Sequence, residues 1–151
     1  MKRIVVVAAI SALAAGAMVG GATIAFAQAD IIKQRQDNRK AAGAAMRAIK
    51  GIIDAKGDTK GAVQQAAKLK ELELAFVKMF PAGSDKGETK ALPAVWTDMA
   101  GFQAADKAAV EAIDKLTVAA GSGDMAALTA AFGATGKACG ACHDKFRVKA
   151  N

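Results

Sequence analysis

Cys139-Gly140-Ala141-Cys142-His143, close to the C-terminus, decides how this chain is read. Two thiols three positions apart, followed at once by an imidazole, form the attachment pattern of a c-type haem. Each thiol adds to one vinyl group of the porphyrin, and the imidazole bonds the iron. On a helix, positions i, i+3 and i+4 share a face, so all three groups meet one flat ring. The motif therefore asks for a helix, and its surroundings supply one. Met125, Leu128, Phe132, Thr135, Cys139, Cys142, His143 and Phe146 recur at spacings of three and four, and Asp124 stands ready to cap them.

Other chemistries use the same residues. A thioredoxin-like Cys-x-x-Cys follows a strand and opens a helix, and no strand pattern lies upstream here. Zinc takes four ligands, whereas the two cysteines and single histidine of the chain all lie within the motif. A disulfide between i and i+3 of a helix has poor geometry. A thiol–disulfide redox protein using the Cys pair stays as the alternative from a different class.

The N-terminus reads as a secretory signal. Lys2 and Arg3 precede an uncharged run from Ile4 to Ala27, and Ala25-Phe26-Ala27 has the small-x-small cleavage pattern. Ala27-Gln28-Ala29 offers a second cleavage point. The expected division is a cleaved signal over residues 1–27 and one domain over 28–151. The run is long enough to be a retained anchor. It is rich in Ala and Gly rather than Leu, however, and ends in a cleavage pattern, so no stable membrane anchor is expected. Export places the domain in the periplasm, where an unprotected pair of thiols would oxidise.

Composition narrows the function. The net charge of +7 falls to about +5 once Lys2 and Arg3 are removed. The remaining basic residues are scattered, with few aromatics beside them, so no nucleic-acid motif is present. No paired acid and base suggests catalysis, and the chain is not expected to be an enzyme. Weak attraction to acidic redox partner proteins suits the charge.

Abundant Ala, rare Pro and the apolar spacing predict helices throughout the domain. The first spans Asp30 to Ala55, capped by Asp30, with Ile31, Ile32, Ala42, Met46, Ile49 and Ile53 inside. The second runs from Asp58 or Thr59 to Phe80, with Val63, Ala67, Leu69, Leu72, Phe76 and Met79 inside. Residues 81–92 form a loop. The third begins at Pro93 and carries Val95, Trp96, Met99, Phe102, Val110, Ile113 and Leu116 as far as Gly121. The fourth follows Asp124, with Lys145, Arg147 and Lys149 in its last turn. The fold class is all-α, an antiparallel four-helix bundle with covalently attached haem.

Several stretches resemble the class II c-type cytochromes, the cytochrome c-prime family. The haem motif sits on the last helix, not near the N-terminus. Ala130-Ala131-Phe132-Gly133 through Arg147 resembles the family's final helix, Pro93-Ala94-Val95-Trp96 its third, and Arg35-Gln36 its paired residues near the haem. The resemblance covers residues 30–149. It implies one haem c per chain, held by thioethers at Cys139 and Cys142 and an axial bond from His143. It also implies Phe146 against the porphyrin, Arg147 near the proximal face, and Arg35 and Gln36 near the propionates. Ordinary core packing for Phe146, and surface charge for Arg35 and Arg147, remain open on spacing alone. The family further implies one-electron transfer, binding of NO or CO, and a homodimer through the first two helices.

The sixth iron position turns on Arg39. Low-spin family members place a Met four residues after the position of Arg35, and here that residue is Arg39. Arginine stays protonated and has no lone pair to give. His143 is the only histidine, so bis-histidine ligation within the chain is excluded. Met46 lies about 10.5 Å further along the helix. Met79, Met99 and Met125 read as packing residues. The prediction is a five-coordinate iron able to bind NO or CO, with the Arg39 stem along the ring edge and its guanidinium on a propionate or solvent. The alternative is a six-coordinate, low-spin electron carrier with a Met sixth ligand.

Overall fold

The computed structural model describes residues 20–149, with side chains from Ala29 onward. The expected signal residues Lys2 and Arg3, and the apolar run as far as residue 19, lie outside the described residues. Four long helices, α1 (Gly20–Asp54), α2 (Gly61–Phe76), α4 (Met99–Gly121) and α5 (Met125–Phe146), form the bundle, with a single turn, α3 (Ala94–Thr97), before α4. The pairs α1–α2, α2–α4 and α4–α5 pack extensively, and α1 touches α5 to close the ring. No helix among the described residues is long and apolar enough to cross a membrane.

The core is graded along the bundle. One end is filled by Ile49, Ala62, Ala66, Leu116, Ala120 and Leu128, and the middle by Ala42, Ala45, Leu69 and Ile113. Alanines at these contacts let the helix backbones approach closely. The other end is aromatic: Phe80, Val95, Phe102 and Phe146 are buried there, with Phe76, Trp96 and Cys142 packed against them. Five rings, those of Phe76, Phe80, Trp96, Phe102 and Phe146, meet edge to face, with Phe76–Phe80 and Phe80–Phe102 centroids both 4.9 Å apart.

Helix ends depart from the sequence expectation. Asp30 does not cap α1, which already runs from Gly20, because the Ala-rich residues before Asp30 continue the helix. A tight turn from Asp58 to Lys60 precedes α2, which starts at Gly61 and ends at Phe76 rather than Phe80. Its inner face is Ala62, Ala66, Leu69 and Glu73, and Ala67 is exposed. The third predicted helix is broken at Asp98 (φ −132°, ψ 57°), whose carboxylate accepts from the Gly101 N–H at 3.0 Å and caps α4. Asp124 caps α5 as expected, accepting from Ala126 and Ala127 N–H at 2.8 and 3.1 Å.

Arg147 and Lys149 lie beyond α5, not in its last turn, where only His143 and Lys145 are basic. Arg147 is extended and bridges to Ala91. Leu92 N–H donates to the Phe146 carbonyl (3.0 Å) and Val148 N–H to that of Lys90 (2.9 Å). The 81–92 loop is thereby fastened to the end of the motif helix. Gly87 in this loop has φ +106°, and a Cβ there would stand 3.0 Å from Ile32 Cδ1.

Candidate haem site

α5 carries Cys139, Cys142 and His143 on the side turned toward the other helices, all three half-buried. The cysteines are free thiols. Burial, then the negative charge of Glu73, raises both thiol pKa values, that of Cys142 to about 11. Disulfide-exchange cysteines depend on a lowered pKa. This pair is shifted the other way, which does not favour thiolate chemistry there. Burial, followed by the positive charges of Arg147 and Arg39, lowers the pKa of His143. The imidazole is therefore held neutral, the form that ligates a metal. Among the described residues no group of three or more His, Cys, Asp and Glu side chains is arranged to hold a metal ion by itself.

Arg35 is buried, at 4% exposure. Its Nη2 donates to the Ser84 carbonyl at 2.6 Å, while Nε and Nη1 have no partner. The guanidinium lies over Phe80 (4.7 Å to the centroid) and Trp96 (5.6 Å), in the same aromatic cluster that Cys142 joins. A buried cation with unanswered N–H donors is costly and calls for an anion. A haem carboxylate meets that need. The orphaned donors of Arg35, the neutral imidazole and the aromatic walls all fit a haem.

The remaining expected site residues divide. Phe146 is buried and meets Phe102 edge to face at 5.4 Å, so it packs in the cluster beside Cys142. Arg147 is exposed, and its backbone N–H donates to the His143 carbonyl at 3.1 Å. Gln36 is exposed too, and donates to the Glu88 carbonyl at 2.9 Å. With Ile32, Lys40, Lys86 and Gly87 it lines an open groove of about 620 Å³ between α1 and the loop, which contains none of the motif residues.

Arg39 departs from expectation. Its guanidinium reaches neither solvent alone nor a free edge: Nη1 donates to Glu73 Oε2 on α2 at 2.7 Å, and its Cζ stacks 3.7 Å from the Phe76 centroid. Glu73 and, on α4, Asp106 are buried near it, and neither was singled out from the sequence. Their spacing held the signal. Leu69–Glu73–Phe76 and Phe102–Asp106–Ala109 are inward-facing steps of four and three, with a carboxylate in the middle of each.

The family model described as Cytochrome C' matches residues 30–147. A cytochrome c' of Rhodopseudomonas palustris is 34% identical over 139 residues, covering 89% of this chain and 93% of the relative. The crystal structure of cytochrome c' from Rubrivivax gelatinosus superimposes with a TM-score of 0.73 at 38% identity, over 80% of this chain and 97% of that one. A nitric oxide complex of a mutant cytochrome c prime from Alcaligenes xylosoxidans gives 0.74 at 30% identity, over 82% and 97%. With bundle, motif helix and site in agreement, the chain belongs to the cytochrome c' family and carries its cofactor, a covalently attached c-type haem.

Proposed function

We propose that the chain is an exported periplasmic haem protein that carries single electrons through a five-coordinate iron open to NO or CO. Cys139 and Cys142 form the thioethers and His143 supplies the axial bond. When bound, the haem contributes a one-electron couple and a position for a diatomic gas. The chain's own residues do the rest. The Phe76, Phe80, Phe102 and Phe146 rings exclude water from that end of the bundle, and Arg35 answers a haem carboxylate. Arg147, whose backbone N–H donates to the His143 carbonyl, would lie near the proximal face. Gln36 stands at the rim. Residues 1–27 direct export, α1 and α2 offer a homodimer face, and the basic surface meets acidic redox partner proteins.

The observation that carries this reading is the half-buried His143 on one face with both thiols, while the α1 position expected to bear a sulfur ligand holds Arg39, which has no lone pair. The nitric oxide complex of the Alcaligenes protein supports the gas-binding part. A second reading has one observation in its favour: Met79 and Met99 pack against the cluster that includes Cys142, so a six-coordinate state would draw on one of them. Met46 packs in the middle layer and Met125 at the far end, away from Cys142. Pyridine haemochrome analysis with oxidised and reduced spectra of the exported protein tests attachment, stoichiometry and coordination together. A sharp low-spin α band in the reduced protein would end the five-coordinate reading, and a colourless product would end both.

A further inference from the structure

Half-buried Arg39 on α1 gathers with Glu73 on α2 and Asp106 on α4 in a charge cluster outside the Cys-x-x-Cys-His run; both acidic residues are only 7% exposed. The guanidinium is fixed from several sides. Besides the Glu73 bond, Nε and Nη2 donate to Asn38 Oδ1 at 2.9 and 2.5 Å, and Nη2 donates to the Leu72 carbonyl at 3.3 Å. Phe76 lies flat against it. Four of the five guanidinium N–H donors are thus engaged, and one on Nη1 is left for a further acceptor.

Stability does not account for this cluster. Buried ion pairs are often matched or bettered by apolar residues of similar volume, and most of this core is Ala, Leu, Ile, Val and Phe. Its position points to a role. Arg39 stacks on Phe76, which packs with Cys142 in the one aromatic cluster, so the pair stands at the haem-attachment end of the bundle.

We propose that Arg39, braced by Glu73 and Asn38, presents its remaining N–H to a ligand at the iron and so makes this chain a receptor for small anions that accept hydrogen bonds. The inference rests on the five-coordinate reading. An anion brings the electron pair of its new bond and one negative charge; no other bond breaks and no electron is transferred. In a water-poor pocket that charge is costly unless a cation and a donor answer it, and a guanidinium is both. Carbon monoxide is neutral and a poor acceptor, and gains little from the same group. Arg39 is thereby a specificity-determining residue, sorting ligands by charge where an apolar side chain would sort them by size.

The test uses the exported holoprotein, with fluoride and azide titrated into the ferric form and carbon monoxide into the ferrous form, all followed optically. Replacing the pair together, Arg39→Leu with Glu73→Leu, leaves no unpaired charge behind. Both anions then bind about tenfold or more weaker, while carbon monoxide affinity stays within about threefold. Glu73→Gln, which keeps the guanidinium and removes its counter-charge, tightens both anions and answers the question should the double variant fail to fold. Equal anion affinities in wild type and variants, or no anion binding by a high-spin wild type, overturn this inference alone. A low-spin unliganded wild type overturns it together with the five-coordinate reading.

Discussion

Asp106 makes the stability of this protein depend on pH in a direction opposite to that of most aspartates. Burial, followed by repulsion from Glu73 and partly offset by Arg39, raises its pKa from 3.8 to about 6. Its Oδ1 is buried without a partner, which favours the protonated acid. The folded state therefore binds a proton more tightly than the unfolded chain. Its contribution is fully present below about pH 4, declines as pH rises through the window from about 4 to 6, and is gone above it. The shift would correspond to about 3 kcal/mol at 1.36 kcal/mol per pKa unit; allowing for solvent reaching the carboxyl group, about 2 kcal/mol is expected. Asp106→Asn mimics the protonated acid at every pH. Urea unfolding of the holoprotein between pH 4 and 8 measures the effect. Wild type loses about 2 kcal/mol relative to the variant across that range, and the variant is the more stable of the two at about pH 7.5. Parallel curves for the two proteins would refute the assignment of the titration to Asp106.

Arg35→Leu removes a buried cation from the haem end and lowers the reduction potential by about 1 kcal/mol, or roughly 40 mV, because positive charge favours the ferrous state; spectroelectrochemical titration reads it, and an unchanged or higher potential contradicts the placement. Gly87→Ala costs about 1–2 kcal/mol in thermal unfolding, since φ +106° strains any L side chain and the new methyl crowds Ile32. Asp124→Ala orphans two N–H groups at the start of α5 and costs about 1 kcal/mol by denaturant unfolding at neutral pH, with the haem spectrum unchanged.

The motif helix was legible because two local signals agreed: a capping Asp124 and a stripe at helical spacing that includes the haem-binding run. The end of α2 was not. Phe76, Met79 and Phe80 continue the apolar spacing through a turn, and Phe80 is buried after the helix has ended, so periodicity alone cannot mark the stop. The break before α4 was hidden in the same way, with Val95, Met99 and Phe102 at helical intervals on both sides of Asp98. Asp98 followed three residues later by Gly101 was the cap signal that periodicity masked. Glu73 and Asp106 were passed over because carboxylates are ordinarily assigned to solvated faces. Arg39, brought from another helix, pairs with Glu73, and a partner so distant along the chain leaves no local trace.

The layers of the core separate two demands that a small bundle must meet at once. The far and middle layers are Ala, Leu and Ile without a buried ionic group, and Ile49, Ile113 and Leu116 are fully inaccessible there. At the motif end the rule of an apolar core is broken repeatedly: Arg35 with unanswered donors, the Arg39–Glu73 ion pair, and Asp106 with an orphaned oxygen. Such violations gather where function outweighs local consistency. Each of these groups comes from α1, α2 or α4, whereas the Cys-x-x-Cys-His run lies on α5. The charges are therefore set by the scaffold rather than by the motif. Two proteins with the same Cys-x-x-Cys-His run can differ in potential and ligand preference through the helices that do not carry the run. Arg39 is where this chain departs from the family resemblance, which its neighbours Arg35 and Gln36 follow.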